Sequence, residues 1–317
     1  MSSEKSTLYL HLGLHKTGSN FLQKEVFPNA KGLYFLNKPD WSLISDYTDP
    51  TSLARFMASN TGVWDEMGDV FFNRANKEAG RSSSEGGDLL ISDEQGPFGW
   101  HRNDPQRMAV HLKKIQSVMR EQFDELKVLI VIRRQDTWLA SAYAEICSKF
   151  KQASQGHFER WIKEQISYNK KYFWGRGIRL DYSSLLAEVT RFIPAHNVKM
   201  IPYELLKSDP GSFIGEVAKF IEVDTINWQS KTHNRKSLSN SEWKIAPYKE
   251  RSLWLRPGRL FYKLGIDPKI NIPDPFRSKK IEMTPALSRK ILSKYKSSNQ
   301  CLDSKIHVKE YGYVIDE

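Results

Sequence analysis

Leu8-Tyr9-Leu10-His11-Leu12-Gly13-Leu14-His15-Lys16-Thr17-Gly18-Ser19-Asn20 is the stretch that decides the fold class. Its first half is a short, mostly apolar run ending at a glycine, the pattern of a buried strand. Its second half offers N-cap chemistry at Thr17-Gly18-Ser19-Asn20, and the residues from Phe21 onward predict a helix that stops near Pro28. Strand, glycine-bounded loop and helix start, in that order, make a cradle for an anion. Backbone N–H groups at the helix amino end point outward without partners, the helix dipole adds partial positive charge, and Lys16 adds a full one. Gly13 and Gly18 are expected to supply positive φ angles and close backbone approach. In the ordinary nucleoside-triphosphate loop the second glycine is followed by Lys and then Ser or Thr, for the β/γ-phosphates and Mg²⁺. Here Ser19 and Asn20 hold those places and the lysine precedes Gly18, so the loop suits a donor with no γ-phosphate and no need of a metal.

Outward from this loop, Asp88-Leu89-Leu90-Ile91-Ser92 reads as a second buried strand that delivers Asp93 and Glu94 at its carboxyl end. Residues 126–132 are an unbroken branched-apolar run, expected at the centre of the sheet, and 198–203 form the next strand. Helical patterns cover 108–123, 136–149, 158–168, 182–192 and 210–221. Residues 31–87 carry turn clusters and no assigned element. Strand and helix alternate, which predicts an α/β fold: a central parallel sheet flanked by helices on both faces, P-loop-like. After Asn227 the strands are expected to stop and the chain to become basic and irregular up to a helix at 285–297. The expected organisation is one domain, 1–317, with a nucleotide-binding core at 1–227 and an irregular basic C-terminal lobe, 228–317, packed on it.

Composition narrows the partners. The chain carries 48 Lys and Arg against 37 Asp and Glu, a formal net charge of +11, which favours anionic ligands. Cys147 and Cys301 are too few for a disulfide framework or a structural zinc site, so a reducing, cytoplasmic setting is expected. No apolar run approaches the ~20 residues of a membrane helix, and His11, His15 and Lys16 break the first run before it could act as a signal. The basic patch at 251–259 leaves peripheral contact with an acidic membrane open. His11 and His15 have a four-residue spacing but fall on a strand and a loop, which does not bring metal ligands together.

Lys16-Thr17-Gly18-Ser19 resembles the 5′-phosphosulfate loop of the sulfotransferases that use PAPS (3′-phosphoadenosine-5′-phosphosulfate), usually Lys-Thr-Gly-Thr or Lys-Ser-Gly-Thr after a strand. Ser19 keeps the hydroxyl, and Asn20 departs from the Thr often found next. The family also binds the 3′-phosphate with an arginine closing a central strand and a serine eight positions on. Val128-Leu-Ile-Val-Ile-Arg133-Arg-Gln-Asp-Thr-Trp-Leu-Ala-Ser141 is similar to that layout, with Arg134-Gln135 in place of the usual Asn-Pro, which leaves open which guanidinium reaches the phosphate. Surface pairing of Arg133 and Arg134 with Asp136 is the alternative reading of that pair. Val198 to Glu204 is similar to the family's strand ending in Tyr-Glu, and Asn234-Arg235-Lys236-Ser237 resembles in position the basic loop that closes over the 3′-phosphate.

The resemblance implies a sulfuryl transfer from PAPS, leaving PAP (adenosine 3′,5′-bisphosphate), to a hydroxyl or amine. It implies a nucleotide site of His15, Lys16, Thr17, Gly18, Ser19, Asn20, Arg133, Ser141, Arg235 and Lys236. Lys16 is expected to serve catalysis by placing charge on the departing phosphate oxygen. Glu94 is the candidate base, with His15 and His101 as rivals and a turn-capping role for Asp93 or Glu94 as the alternative. Trp41, Trp100, Trp138, Trp174 and Trp254 could stack on sugar rings, so a glycan or glycolipid acceptor is expected. A P-loop kinase or other phosphotransferase is the nearest rival reading and a non-enzymatic nucleic-acid binder the second. The first lacks the Lys-Ser/Thr pair, and the second lacks a basic stripe with interleaved aromatics or a reading module.

Overall fold

The structure is a computed structural model that describes residues 6–37, 61–82, 86–93, 106–167, 180–228, 239, 241–246, 248 and 279–315. The chain forms two compact units, residues 1–135, 168–233 and 292–317 in the first and 136–167 and 234–291 in the second.

The first unit is built on five parallel strands in the order β2-β3-β1-β4-β5, where β1 is Thr7–His11, β2 Leu33–Asn37, β3 Asp88–Ser92, β4 Glu125–Ile132 and β5 Val198–Pro202. Leu10 of β1 lies beside Ile91 of β3 on one side and Val128 of β4 on the other, and the same register sets His11 beside Ser92. Helices packed on the sheet leave its strands apolar on both faces, as a parallel sheet requires. Tyr9, Leu90, Leu129, Val131 and Ile201 on one face share a core with Phe21, Leu22, Val26 and Phe27 and with Phe213, Ile214 and Val217. Their strand neighbours Leu8, Leu10, Leu89, Ile91, Val128 and Ile130 alternate to the other face and are equally buried.

The helical run after β1 starts as α1, Ser19–Phe21, continues as a π turn over Leu22–Val26 and ends as a 3-10 turn over Phe27–Asn29. The next helices in chain order are α2 Val63–Ala79, α3 Gln106–Val118, α4 Gln135–Ile146, α5 Gln155–Ser167, α6 Tyr182–Thr190, α7 Tyr203–Ser208 and α8 Pro210–Phe220. Of these, α5 belongs to the second unit, as does α4 from Asp136. The region 31–87, which carried no assigned element, contains both β2 and the 17-residue α2. The buried face of α2 is helical in spacing, Trp64, Gly68, Phe71, Phe72, Ala75 and Asn76, but Gly68 and Asn76 dilute its apolar period. Edge strand β2 is only partly buried, so its alternation is equally faint.

In the second unit, β6 Glu242–Lys244 and β7 Lys280–Glu282 pair antiparallel with Trp243 opposite Ile281. Strands therefore do not stop after Asn227. Each is three residues long and their partners are far apart in sequence, too little for a period to register. Gln155 of α5 holds β7 at both ends of its amide, donating to the Glu282 carbonyl (2.9 Å) and accepting from the Glu282 N–H (2.8 Å). The helix expected at 285–297 is two, α9 Pro285–Lys294 and α10 Lys296–Ile306. No described helix is long and apolar enough to cross a membrane.

Because β1 has β3 on one side and β4 on the other, the strand order reverses at β1, and the crevice at its carboxyl end is where an open α/β sheet binds ligands.

Candidate active site

Three strand ends converge on that crevice. The β1 end continues into the loop 12–18, tied to β4 by the Leu12 N–H donating to the Leu129 carbonyl (2.9 Å) and anchored inward by buried Leu12 and Leu14. Two residues of the loop are left-handed, Lys16 at φ 70° and Gly18 at φ 87°. For an L side chain such a conformation costs about 1 kcal/mol, so at Lys16 it is strain stored in the loop. Gly13, expected to share that role with Gly18, does not have it: its need for glycine is space, because a Cβ there would sit 2.7 Å from Ser19 Oγ and 3.2 Å from His11 Nε2. At Gly18 a Cβ would also meet Leu206 Cδ2 at 2.9 Å.

Thr17, expected among the N-cap residues, turns its hydroxyl inward instead, donating to the Leu14 carbonyl from a fully buried position. Only its backbone N–H is left to face a ligand. The N-cap is Gly18, whose carbonyl accepts from the N–H groups of Phe21 (2.9 Å) and Leu22 (3.1 Å). The first N–H groups of the run therefore have no carbonyl one turn back to satisfy them. Ser19 Oγ is buried, 2 % exposed, and has no hydrogen-bond partner among the described residues. A buried hydroxyl in that condition costs about 1–3 kcal/mol unless a ligand or water meets it. His15, Lys16 and Asn20 are half-buried around it.

The β4 end supplies Arg133, 5 % exposed, whose Nη1 donates to the Lys16 carbonyl (2.9 Å). Its guanidinium carbon lies 4.9 Å from the Tyr203 ring centroid, over the ring in a cation–π placement. Its own carbonyl accepts from Tyr182 OH (2.6 Å), and burial pushes that phenol well above its usual pKa, keeping it a donor. Glu204 at the start of α7 accepts from the Arg134 N–H (3.1 Å) and from Tyr313 OH (2.8 Å), and Asn299 of α10 donates to the Tyr313 carbonyl (2.8 Å). The C-terminal segment thus braces the turn that carries Arg133. The neighbouring guanidinium goes elsewhere: Arg134 Nη1 lies 3.0 Å from the point where a Cβ on Gly312 would sit. Of the two arginines, Arg133 is the one at the loop.

The β3 end supplies Asp93, buried, with its N–H donating to the His11 carbonyl (3.1 Å). Glu94, His101, Arg235 and Lys236 lie outside the described residues, as do Trp41, Trp100, Trp174 and Trp254. Ser141 is a buried residue of α4 in the second unit, and Trp138 on the same helix is buried, 3 % exposed, which removes it as a stacking platform. Among the described residues no group of three or more His, Cys, Asp or Glu side chains is placed to hold a metal ion.

One polar group under the loop has a place that the sequence reading, which weighed it only as a metal ligand, did not give it. His11 is fully buried, its Nδ1 lies 2.7 Å from Ser92 Oγ, and Gln23 Nε2 donates to the same oxygen (3.0 Å). Desolvation lowers the His11 pKa to about 3, so the ring is neutral. A histidine inside an otherwise apolar strand was the available signal.

This crevice gathers backbone donors, an orphaned hydroxyl, a lysine and an arginine, an arrangement that can hold a phosphate-bearing leaving group and stabilise charge developing on it. The sulfotransferase domain family matches the chain over residues 92–297, more than half of its length and starting after β1 and its loop. Among solved structures the chain is similar to a sulfotransferase from Alicyclobacillus acidocaldarius, at 13% identity and a TM-score of 0.52, with 94% of this chain and 95% of that one covered. It is also similar to a mouse sulfotransferase complexed with PAP, at 12% identity and a TM-score of 0.37, with 69% of this chain and 60% of that one covered. No curated protein sequence matches the chain.

Proposed function

The chain belongs to the sulfotransferase domain family and is a sulfotransferase, and from that premise we propose that PAPS is its donor and that the crevice at the end of β1 is where the donor binds. The observation that carries this reading is the Arg133 Nη1 to Lys16 carbonyl bond, 2.9 Å, which joins the two candidate anion-binding segments on one edge of the sheet. The loop Lys16 to Asn20 takes the 5′-phosphosulfate, with the Ser19 hydroxyl and the N–H groups of the helix start as donors. Arg133 takes the 3′-phosphate, where a planar fork can grip two oxygens. His15 borders the same loop, and Ser141, Arg235 and Lys236 complete the nucleotide site on the strength of the family resemblance.

In the transfer, an acceptor oxygen or nitrogen attacks sulfur in line, the bond from sulfur to the 5′-phosphate oxygen breaks, and PAP departs. Lys16 and the loop N–H groups stabilise the charge that builds on that oxygen, in a site already organised for it. Glu94, which follows Asp93 at the carboxyl end of β3, takes the acceptor proton. His15 and His101 are its rivals. Glu94→Gln should lower turnover and remove the acidic limb of the pH–rate profile; an unchanged profile transfers the role to one of the histidines.

The acceptor is a hydroxyl or amine of a glycan or glycolipid, a reading supported by the net charge of +11, which would steer an anionic acceptor. A cysteine content of two, Cys147 and Cys301, supports a reducing, cytoplasmic setting. A thermal-shift comparison tests the donor: PAP should stabilise the protein and Mg·ATP should not, whereas the reverse order would assign it to a phosphotransferase.

A further inference from the structure

The buried group beneath the loop extends this reading. Ser92 Oγ accepts from Gln23 Nε2 and lies 2.7 Å from His11 Nδ1, and these are its side-chain contacts among the described residues. A hydroxyl has one hydrogen to give. With Gln23 donating to it, the acceptor facing that hydrogen is His11 Nδ1. The imidazole then carries its own hydrogen on Nε2. That nitrogen is buried and has no partner among the described residues, and Ser19 Oγ is in the same condition. Both face one point, the place where a Cβ on Gly13 would sit, at 3.2 Å from His11 Nε2 and 2.7 Å from Ser19 Oγ. Glycine at 13 keeps the space between them clear.

Resting on the assignment of the loop to the 5′-phosphosulfate, we propose that His11 is a positioning residue whose Nε2–H donates to Ser19 Oγ, committing the Ser19 hydroxyl to donate its hydrogen to the bound anion. An oxygen that already accepts a hydrogen bond from below has its own hydrogen free for a ligand above, and an anion offers only acceptors. Two buried orphans, a donor and an acceptor, thereby satisfy each other in the liganded enzyme. The edge-on Phe27 ring, 5.3 Å between centroids, helps keep this space apolar. Desolvation holds the ring neutral, so a single tautomer serves across the working pH range.

Two substitutions separate positioning from packing. In His11→Asn the amide reaches the Nδ1 position and can keep the Ser92 bond while losing the upward donor; in His11→Gln the amide reaches the Nε2 position and keeps that donor. Calorimetric titration with PAP should show His11→Asn weakened roughly tenfold, as for one hydrogen bond to a charged network, and His11→Gln close to wild type. Ser19→Ala should lose about as much as His11→Asn, and the double variant no more than either alone. With adenosine 3′-phosphate, which lacks the 5′-phosphate, the differences should vanish. Wild-type affinity in His11→Asn, or losses that multiply in the double variant, would overturn the proposal while leaving the functional assignment standing. A wild-type protein that binds no PAP removes both. Should the variants fail to fold, ¹⁵N spectra of the wild-type histidines decide: hydrogen on Nε2 of His11 supports the proposal, hydrogen on Nδ1 overturns it.

Discussion

The two ends of the central sheet in the first unit are finished differently. At the amino end, polar groups close on one another. Asp88 accepts from the Thr7 N–H (2.6 Å), and Asp124 from the Ser6 N–H (2.9 Å). Lys127 bridges Glu222 (2.6 Å) and Glu125 (3.3 Å), while Tyr9 OH donates to Glu222 (3.2 Å). Arg81 donates to the Gly87 and Gln122 carbonyls and to Asn76. Asn197 Oδ1 is the exception there, without a partner among the described residues although its amide donates to Glu125. At the carboxyl end, the loop after β1 carries a left-handed lysine and has an arginine fixed on its backbone, and among the described residues the Ser19 hydroxyl and His11 Nε2 are without partners. Closed networks hold the strands in register. Open ones, bought with strain and buried orphans, are what a ligand completes.

Substitutions at the two ends should therefore split between function and stability. The largest effect is expected for Lys16→Ala: turnover with labelled PAPS should fall about 100-fold or more while donor affinity falls less, because the charge acts mainly on the departing oxygen. Near-normal turnover would erase the distinction between the ends. Arg133→Met should weaken PAP roughly 30-fold, or about 2 kcal/mol, read by calorimetry, and Lys127→Met should leave PAP affinity unchanged and cost about 1 kcal/mol of unfolding free energy.

Acid should act through the carboxyl end. His11 has a folded pKa of about 3, below the ordinary imidazole value of 6.5, so the unfolded chain binds the extra proton. Its contribution is complete above the unfolded value and is lost as pH falls from there toward the folded one, about 2 kcal/mol between pH 7 and pH 5. Urea unfolding should show that increment in the wild type and lack it in His11→Gln. The smallest effect is expected at Tyr9→Phe, which removes the hydroxyl from Glu222: about 1 kcal/mol of stability and no change in PAP affinity. A change in affinity would mean that the amino end also shapes the site.

The parallel core was legible because its strands are buried on both faces and read as continuous apolar runs: β1, β3, β4 and β5 all lie within or beside their expected spans. What stayed hidden had weak periodicity. In α2 a glycine and an asparagine sit on the buried face, β2 is an edge strand, and β6 and β7 are short. At the site, residue types pointed to the loop through its glycines and lysine, whereas Arg133, which alone reads as well as a surface ion pair, was singled out only beside that loop and through the resemblance. Their supports were not legible. Tyr182, Glu204 and Tyr313 meet around Arg133 from distant parts of the chain, and His11 meets Ser92 and Gln23 only through strand register. Hydrogen bonds between residues far apart in sequence leave no local pattern. Gly13 showed the complementary error: its type was informative, but it serves space, and the left-handed turn falls on Lys16.

A crystal structure of the complex with PAP is the most direct test. The 5′-phosphate should rest on the Lys16 to Asn20 backbone with Ser19 Oγ within hydrogen-bonding distance, and the 3′-phosphate on the Arg133 guanidinium, so that one nucleotide spans both groups. PAP bound with its phosphates away from either segment, or with both phosphates on one of them, would contradict the assignment.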